Sequence, residues 1–434
     1  MKKYNCLALL FFIPLFSIGQ NPTLSLQEAI QIALQNNYNV VIAKNEVEIG
    51  KINNSWANAD ALPTVSASSN KSLASNNLIQ DLSNGTNIKR NNASSNNINA
   101  GLAVNWQFYD GMKMFATKKR LEELEKIGQI NFSRMMNSTT YEVMQLYYYI
   151  IQQQQILAAT KESISLFEER LKIAEFRFNN GSSAKTDFLQ AQVDLNEQKA
   201  NLKAIEATIE ISKTNLNTVL ARDASTSFSV EDTFNLSKPI DFTALQTKLD
   251  KQNFDIQLAK SNLVVLMQNK KEINSQRLPS ANLFGNYNFN RTKNAAGFTL
   301  LNQTYGPVGG IGLTIPIYSG GKIKRQLQAA DIQIKNQDIA VKQTTQLIQN
   351  ALSNAYINYK NGIELAKLQE SNLIIVKENN FINLERFKKL SITSVELRQG
   401  QLNYTDAQTR LINAKYQSKM AEAEMLLLVG EITN

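Results

Sequence analysis

The chain reads as an α + transmembrane β protein made by internal duplication. Three observations predict this. Motifs from the first half return in the second at constant offsets, apolar residues follow a seven-residue period through very long segments, and two shorter stretches switch to strict alternation.

The N-terminus sets the compartment. Lys2 and Lys3 precede the apolar run Leu7 to Ile18 and then small residues, the layout of a signal peptide over residues 1–20. Cys6, the only cysteine, lies within that segment, and the chain has no histidine. Thiolate chemistry, cysteine metal sites and the commonest general base are therefore excluded from the expected mature protein. We expect no metal and no cofactor. The formal charge of +9 is spread along polar helical segments without interleaved aromatic residues, which argues for solvated surface and against a nucleic-acid partner. Beyond the signal no apolar run reaches about 18 residues, so any membrane crossing must be made by strands.

The duplication organises the rest. NYNVVIAK from Asn37 matches NFDIQLAK from Asn253, and Pro63 matches Pro279, both at an offset of 216. FYDGMK from Phe108 matches IYSGGK from Ile317, and RFNNGSSAKTDFLQAQ from Arg177 matches RFKKLSITSVELRQGQ from Arg386, both at 209. The length difference therefore falls between proline and tyrosine, and none falls in the long segment beyond. Heptads explain this: Val143, Ile150, Leu157, Ile164, Leu171 and Phe178 would lose their seam after any insertion other than a whole repeat. The second copy runs through Leu352, Tyr359, Ala366, Leu373 and Phe387. Past the breaks the period resumes at Phe188, Leu195, Leu202, Ile209 and Leu216, and at Leu397, Tyr404, Leu411 and Met425 with Gly400, Ala407, Ala414 and Ala421.

Lengths then predict an arrangement. The segment 111–180 would make about 105 Å of helix, and 23–61 with 186–221 laid end to end would match it. Each repeat reads as one long helix paired with two stacked half-length helices. The expected organisation is a first repeat over 21–221 with a hairpin at about 63–110, a linker over 222–241 containing Pro239, and a second repeat over 242–434 with a hairpin at about 279–320.

Within the hairpins, Ile98, Ala100, Leu102, Val104, Trp106 and Phe108 alternate with Asn97, Asn99, Gly101, Asn105 and Gln107. In the second copy Ala281, Leu283, Tyr287 and Phe289 alternate with asparagines, and Ile311, Leu313, Ile315 and Ile317 with Gly310, Gly312, Thr314 and Pro316. Apolar faces ending in aromatics are the signature of lipid-facing strands, with Trp106, Phe108, Tyr287 and Phe289 as the expected girdle against outer-membrane lipid. The Ser/Asn-rich stretches 70–96 and 290–307 are expected to be extracellular loops. Four strands cannot close a membrane barrel, whose smallest examples have about 8, so the chain must associate with copies of itself. A dimer, trimer or tetramer would each satisfy that requirement; three copies would supply about 12 strands.

The run LSLQEAIQIALQNNYNVVIAK, the Leu-Pro before each first strand, IPIYSGG after the last and the RF-x-x-G break together resemble the TolC-type outer-membrane efflux family over essentially the whole mature chain. The resemblance implies a homotrimer with a 12-stranded outer-membrane β-barrel continuous with a long periplasmic α-helical coiled-coil barrel, in the envelope of a Gram-negative cell. It also implies a passive exit duct of a tripartite efflux or type I secretion system, served by a periplasmic adaptor and an inner-membrane pump of RND or ABC type. A periplasmic coiled-coil adaptor without a pore is the alternative; it would share the helices but not the girdled hairpins. No phosphate loop, Ser/His/Asp set or metal cluster supports an enzyme.

By the same resemblance the two breaks are the periplasmic tips. Phe178, Asn179, Asn180, Gly181 and Ser182, with Phe387, Lys388, Lys389, Leu390 and Ser391, become the residues expected to meet the adaptor. Asp187, Phe387, Glu396 and Gln399 become the expected pore constriction. Leu390 stands in place of the second turn's glycine, Phe387 in place of a tyrosine, Ile392 in place of an arginine and Gln399 in place of an acid. Closure is then expected from Phe387 packing and a ring of Glu396. Beside these roles, Gly181 fits a helix C-cap, Thr393 with Glu396 a capping box, and Asp187 a favourable helix start.

Overall fold

The computed structural model describes residues 23–231, 233–234 and 240–432. The expected signal peptide and Pro239 lie outside the described residues. In chain order the elements are β1 (Thr23–Leu24), α1 (Leu26–Asn36), α2 (Tyr38–Asn53), β2 (Thr64–Asp81), β3 (Asn87–Tyr109), α3 (Lys113–Asn179), α4 (Lys185–Val219), β4 (Ser229–Val230), α5 (Phe242–Gln252), α6 (Phe254–Ser275), β5 (Ser280–Asn294), β6 (Leu301–Thr314), α7 (Lys322–Lys388) and α8 (Ser394–Leu428). The repeat is visible in the lengths: α3 and α7 have 67 residues each, and α4 and α8 have 35 each. At 1.5 Å per residue each long helix spans about 100 Å.

The elements fall into two compact units. One is drawn from the described residues within Met1–Val41, Met136–Leu249 and Asn350–Asn434. Its largest core gathers Leu24, Ala29, Ala33, Val143, Tyr147, Ile150, Leu216, Leu220 and Phe228, closed by the short parallel pair of β1 and β4. Tyr147 donates from Oη to the Leu24 carbonyl at 2.9 Å, fastening the incoming chain to α3. Along α8 the expected stripe is buried at Leu397, Tyr404, Leu411 and Met425, and Ala407, Ala414 and Ala421 let neighbouring backbones approach. Along α3 the seam drifts: Leu171 is only partly buried, whereas Arg170 one position earlier is 1% exposed. A helix with 3.6 residues per turn does not hold a strict 3.5-residue seam indefinitely.

The other unit comprises Ile42–Met135 and Asp250–Gln349. Its sheet has four antiparallel strands in the order β2-β3-β5-β6. The register puts the expected apolar residues on one face: Ala100 is opposite Phe289, Leu102 opposite Tyr287 and Trp106 opposite Leu283, while Ile311 and Leu313 continue the row from Leu283 and Ala281. Each last strand leaves through two successive left-handed residues, Gly111 and Met112 in the first copy, Gly320 and Gly321 in the second. Gly111 has a second constraint, because a Cβ there would lie 2.6 Å from the Ser275 carbonyl oxygen.

Two expectations need correction. The stretches 70–96 and 290–307 are largely strand, and only residues 82–86 and 295–300 connect them. Their serines and asparagines carry no alternation signal, but the ladder continues from the membrane register and satisfies their backbone groups, with one irregularity between Asn76 and Leu78. The N-terminal half helices are also not continuous. Asn37 and Asn253, 216 residues apart, adopt extended ψ values of 126° and 125° and interrupt them. The Asn37 Oδ1 accepts from the Asn39 amide at 2.9 Å, and Asn253 accepts from the Ile256 amide at 2.9 Å. Each asparagine offers the backbone a local partner that competes with the helix and restarts it one residue later.

Candidate functional site

The tips are built from one backbone device used twice. At the end of α3, Ser182 N donates to the Arg177 carbonyl at 2.9 Å and Gly181 N to Phe178 at 3.0 Å. At the end of α7, Ser391 N donates to Arg386 at 2.9 Å and Leu390 N to Phe387 at 3.1 Å. Both are Schellman closures with a left-handed residue at the same place, Gly181 at φ 71° and Leu390 at φ 61°. Leucine there costs roughly 1–2 kcal/mol because its Cβ crowds the following carbonyl. Leu390→Gly is therefore expected to stabilise the second turn by about 1 kcal/mol. Native-state hydrogen exchange at the Ser391 amide checks this; exchange that does not slow would count against stored strain.

The helices that follow start differently. Thr393 Oγ1 accepts from Glu396 N at 3.2 Å while Glu396 Oε2 accepts from Thr393 N at 2.8 Å, a complete capping box. These bonds hold the Glu396 carboxyl below its ordinary range. Stability from this group is present above the unfolded-state value and is lost as pH falls through the lowered folded one, so the cap persists under mild acid. At the first tip Ala184 occupies the cap and offers no side-chain bond. Asp187 sits in the first turn of α4, half-buried, and Gln399 is exposed on α8.

Eight of the residues expected to meet a partner, Asn179, Asn180, Gly181, Ser182, Lys388, Lys389, Leu390 and Ser391, are exposed. Phe178 is half-buried and stacks on Phe188, with ring centroids 5.9 Å apart. Phe387 differs from these eight. Its side chain is 1% exposed, packed with Leu384, Ile392, Leu397 and Ile173 inside the tip. A ring at a seam position turns into the helix packing, and Ile392, where an arginine was the alternative, closes over it. Arg177 completes the enclosure: its guanidinium lies 3.8 Å from the Phe387 ring centroid and donates to the Phe387 carbonyl. Burial pushes the Arg177 guanidinium down from its ordinary value, with Asp187 opposing the shift.

An ionic cluster near the tips was missed from the sequence. Asp194 on α4 receives Arg170 Nη2 from α3 and Arg398 Nε from α8 on the same oxygen, each at 2.9 Å, and Gln190 Nε2 on the other at 2.8 Å. Arg170 and Asp194 are almost wholly buried, so desolvation pushes the Arg170 guanidinium down while Asp194 opposes it. A signal existed: Arg170 and Asp194 lie at nearly equal distances before and after Gly181, where opposite charges meet across a helical hairpin. Further along, Tyr404 Oη donates to Glu162 at 2.9 Å, and burial, then Glu162, raises the phenol to about 12. Lys388 bonds Glu169 at 2.8 Å.

In the sheet unit, Trp106 Nε1 donates to the Ala61 carbonyl at 2.9 Å and its ring lies 6.0 Å from that of Phe108. Both rings are exposed on the apolar face, as is Tyr287; Phe289 is half-buried and pairs with Tyr305, an aromatic the sequence reading passed over. Phe284 is a second omission, set on the polar face against Gly310. Among the described residues no helix is long and apolar enough to cross a membrane, and no group of three or more Asp, Glu, His or Cys side chains could hold a metal.

Strands with a lipid-type face, long paired helices and exposed helix-hairpin tips define an outer-membrane channel class. The model of the outer membrane efflux protein family matches residues 29–222 and 245–431, and the chain belongs to that family. It is accordingly an outer-membrane protein with a large periplasmic helical portion, homologous to outer-membrane efflux channels. No match was found among curated protein sequences. Among solved structures, the outer-membrane channel OprN superposes with TM-score 0.80 at 14% identity, over 94% of this chain and 91% of that one. The Campylobacter jejuni CmeC outer membrane channel gives 0.79 at 16%, over 99% and 94%. The outer membrane protein VceC of Vibrio cholerae gives 0.76 at 13%, over 93% and 96%.

Proposed function

We propose that the chain forms, as a homotrimer with 12 membrane strands, the passive exit duct of a tripartite efflux or type I secretion system, and that it catalyses no reaction. The observation that carries this is the sheet with two free edges. Among the described residues β2 and β6 each have one neighbour only, and an unpaired strand edge in lipid costs several kcal/mol per backbone group. Copies of the chain are the economical partners. Exposed Ile332 and Ile339, and Leu368, Ile375 and Ile382, repeat every seven residues on α7 and offer the same copies a coiled-coil stripe.

On this reading the domain boundaries at 21–221 and 242–434 are the two halves of one protomer's share of the duct. The exposed tip residues meet the adaptor, and a pump of RND or ABC type supplies substrate and energy. Asp187, Glu396 and Gln399 remain the constriction residues, with Phe387 packed inside the tip. Cross-linking with single-channel conductance in a planar bilayer tests the duct; a soluble, non-conducting product overturns it. Glu396→Gln tests the ring separately, because glutamine keeps the capping box but removes the charge. Cation preference is expected to fall with the tip intact, and unchanged selectivity would remove Glu396 from the pore.

A further inference from the structure

We infer that the strand-to-helix junction after β6 binds the phosphodiester headgroup of anionic phospholipids in the periplasmic leaflet. A cavity of about 330 Å³ there is lined by Arg277, Ile317, Tyr318, Ser319 and Lys324 among others, with no carboxylate. From Ile273 to Ala330 the chain has no aspartate or glutamate; Arg277 just past α6 and Lys324 in the first turn of α7 meet at the cavity, and Lys322 and Arg325 lie in that same turn. Among the described residues none of these four makes an ion pair, although nearby Arg120 pairs with Glu272 at 2.7 Å and Lys270 with Asp331. The local field is thus positive without an internal counter-charge. The first turn of α7 also lacks an acid, so these cations sit at the helix end least favourable to them.

The apolar side of the same junction says what kind of anion fits. Ile315 is 58% exposed, Ile317 96% and Tyr318 87%. Ile315 and Ile317 continue the sequence alternation of Ile311 and Leu313 just past the end of β6, and Ile317 lines the cavity, so the apolar residues of β6 lead to its wall. Leu313 pairs with Ala281, itself opposite Tyr109, which places the junction at the end of the sheet where Trp106 and Phe108 lie. Aromatic residues with lysine or arginine beside them occupy the headgroup level of a bilayer. Guanidinium and ammonium groups bind phosphate oxygens, Arg277 by a planar fork and Lys324 as a point charge. A free phosphate would satisfy the cations but leave the isoleucines in water, and a second copy would have to bring its own acids. A phospholipid satisfies both halves of the site.

The test uses the full protein in phosphatidylcholine nanodiscs with and without phosphatidylglycerol. Wild type is expected to retain phosphatidylglycerol through detergent exchange, read by native mass spectrometry, and to lose it as salt rises. The variant R277Q/K322Q/K324Q/R325Q should retain at least about tenfold less, with unchanged oligomeric state in phosphatidylcholine. The single variant Arg277→Gln should show the same trend, and Ile317→Asn should lower lipid retention with the cations intact. Equal retention by wild type and the fourfold variant would overturn the inference. So would failure of both Gln variants to assemble in phosphatidylcholine, which would assign the cations to contacts between copies, or equal displacement of lipid by inorganic phosphate. The inference rests on the outer-membrane placement, and conductance measured in phosphatidylcholine keeps its failure separate from that of the duct.

Discussion

Asp194→Ala is expected to destabilise the paired hairpins by about 3–5 kcal/mol, because it leaves the buried Arg170 guanidinium without an anion. Arg398 is less exposed to this loss, since 40% of its side chain reaches solvent. Arg170 already has Nε and Nη1 without a hydrogen-bond partner among the described residues, and besides Asp194 only Asp187 among the carboxylates favours its charge, without bonding it. The urea midpoint of the solubilised protein measures the effect. Replacing both partners, Asp194→Leu with Arg170→Met, should recover most of the loss, because well-packed apolar side chains can substitute for a buried ion pair. A single variant as stable as wild type would mean that Asp194 does not hold the charges.

Phe387→Ala is expected to cost about 3–5 kcal/mol locally, since a buried aromatic ring leaves a cavity that the turn cannot fill. The loss also strips Arg177 of the ring it covers, a contact worth about 1–2 kcal/mol when desolvated. Trypsin reads it at Arg386, Lys388 and Lys389. Where cleavage follows the open population, a cost of about 3 kcal/mol raises it more than a hundredfold. Phe387→Leu should fall between the two, keeping apolar volume while losing the face that Arg177 covers. Cleavage of the alanine variant at the wild-type rate would show that the tip is held elsewhere.

Regularities carried by many residues were legible in the sequence. The offset of 209 survives in the backbone as two turns with the same pair of closing bonds, and the alternation of Leu102, Val104 and Trp106 survives as a register across three strands. What was not legible rests on single residues or on long-range contact. Asn37 and Asn253 read as polar helix positions because one asparagine lowers helix propensity only slightly, and it is their side-chain caps that make the breaks. Asp194 and Arg170 read as solvated charges because a heptad pattern scores apolar residues and says nothing of where the seam drifts. The burial of Phe387 was not legible from its neighbours in the motif, because Ile392 and Leu397, further along, decide it.

The strands of the first hairpin are longer than a bilayer needs. β2 has 18 residues and β3 has 23, where about 9–11 suffice to cross. The surplus lies at the end away from α3, beyond the last pairing of β3 with β5 at Ser95, so on the proposed duct reading the turn at residues 82–86, with Gly85 left-handed, faces outward. An epitope tag inserted between Asn84 and Gly85 should label intact cells without disturbing export.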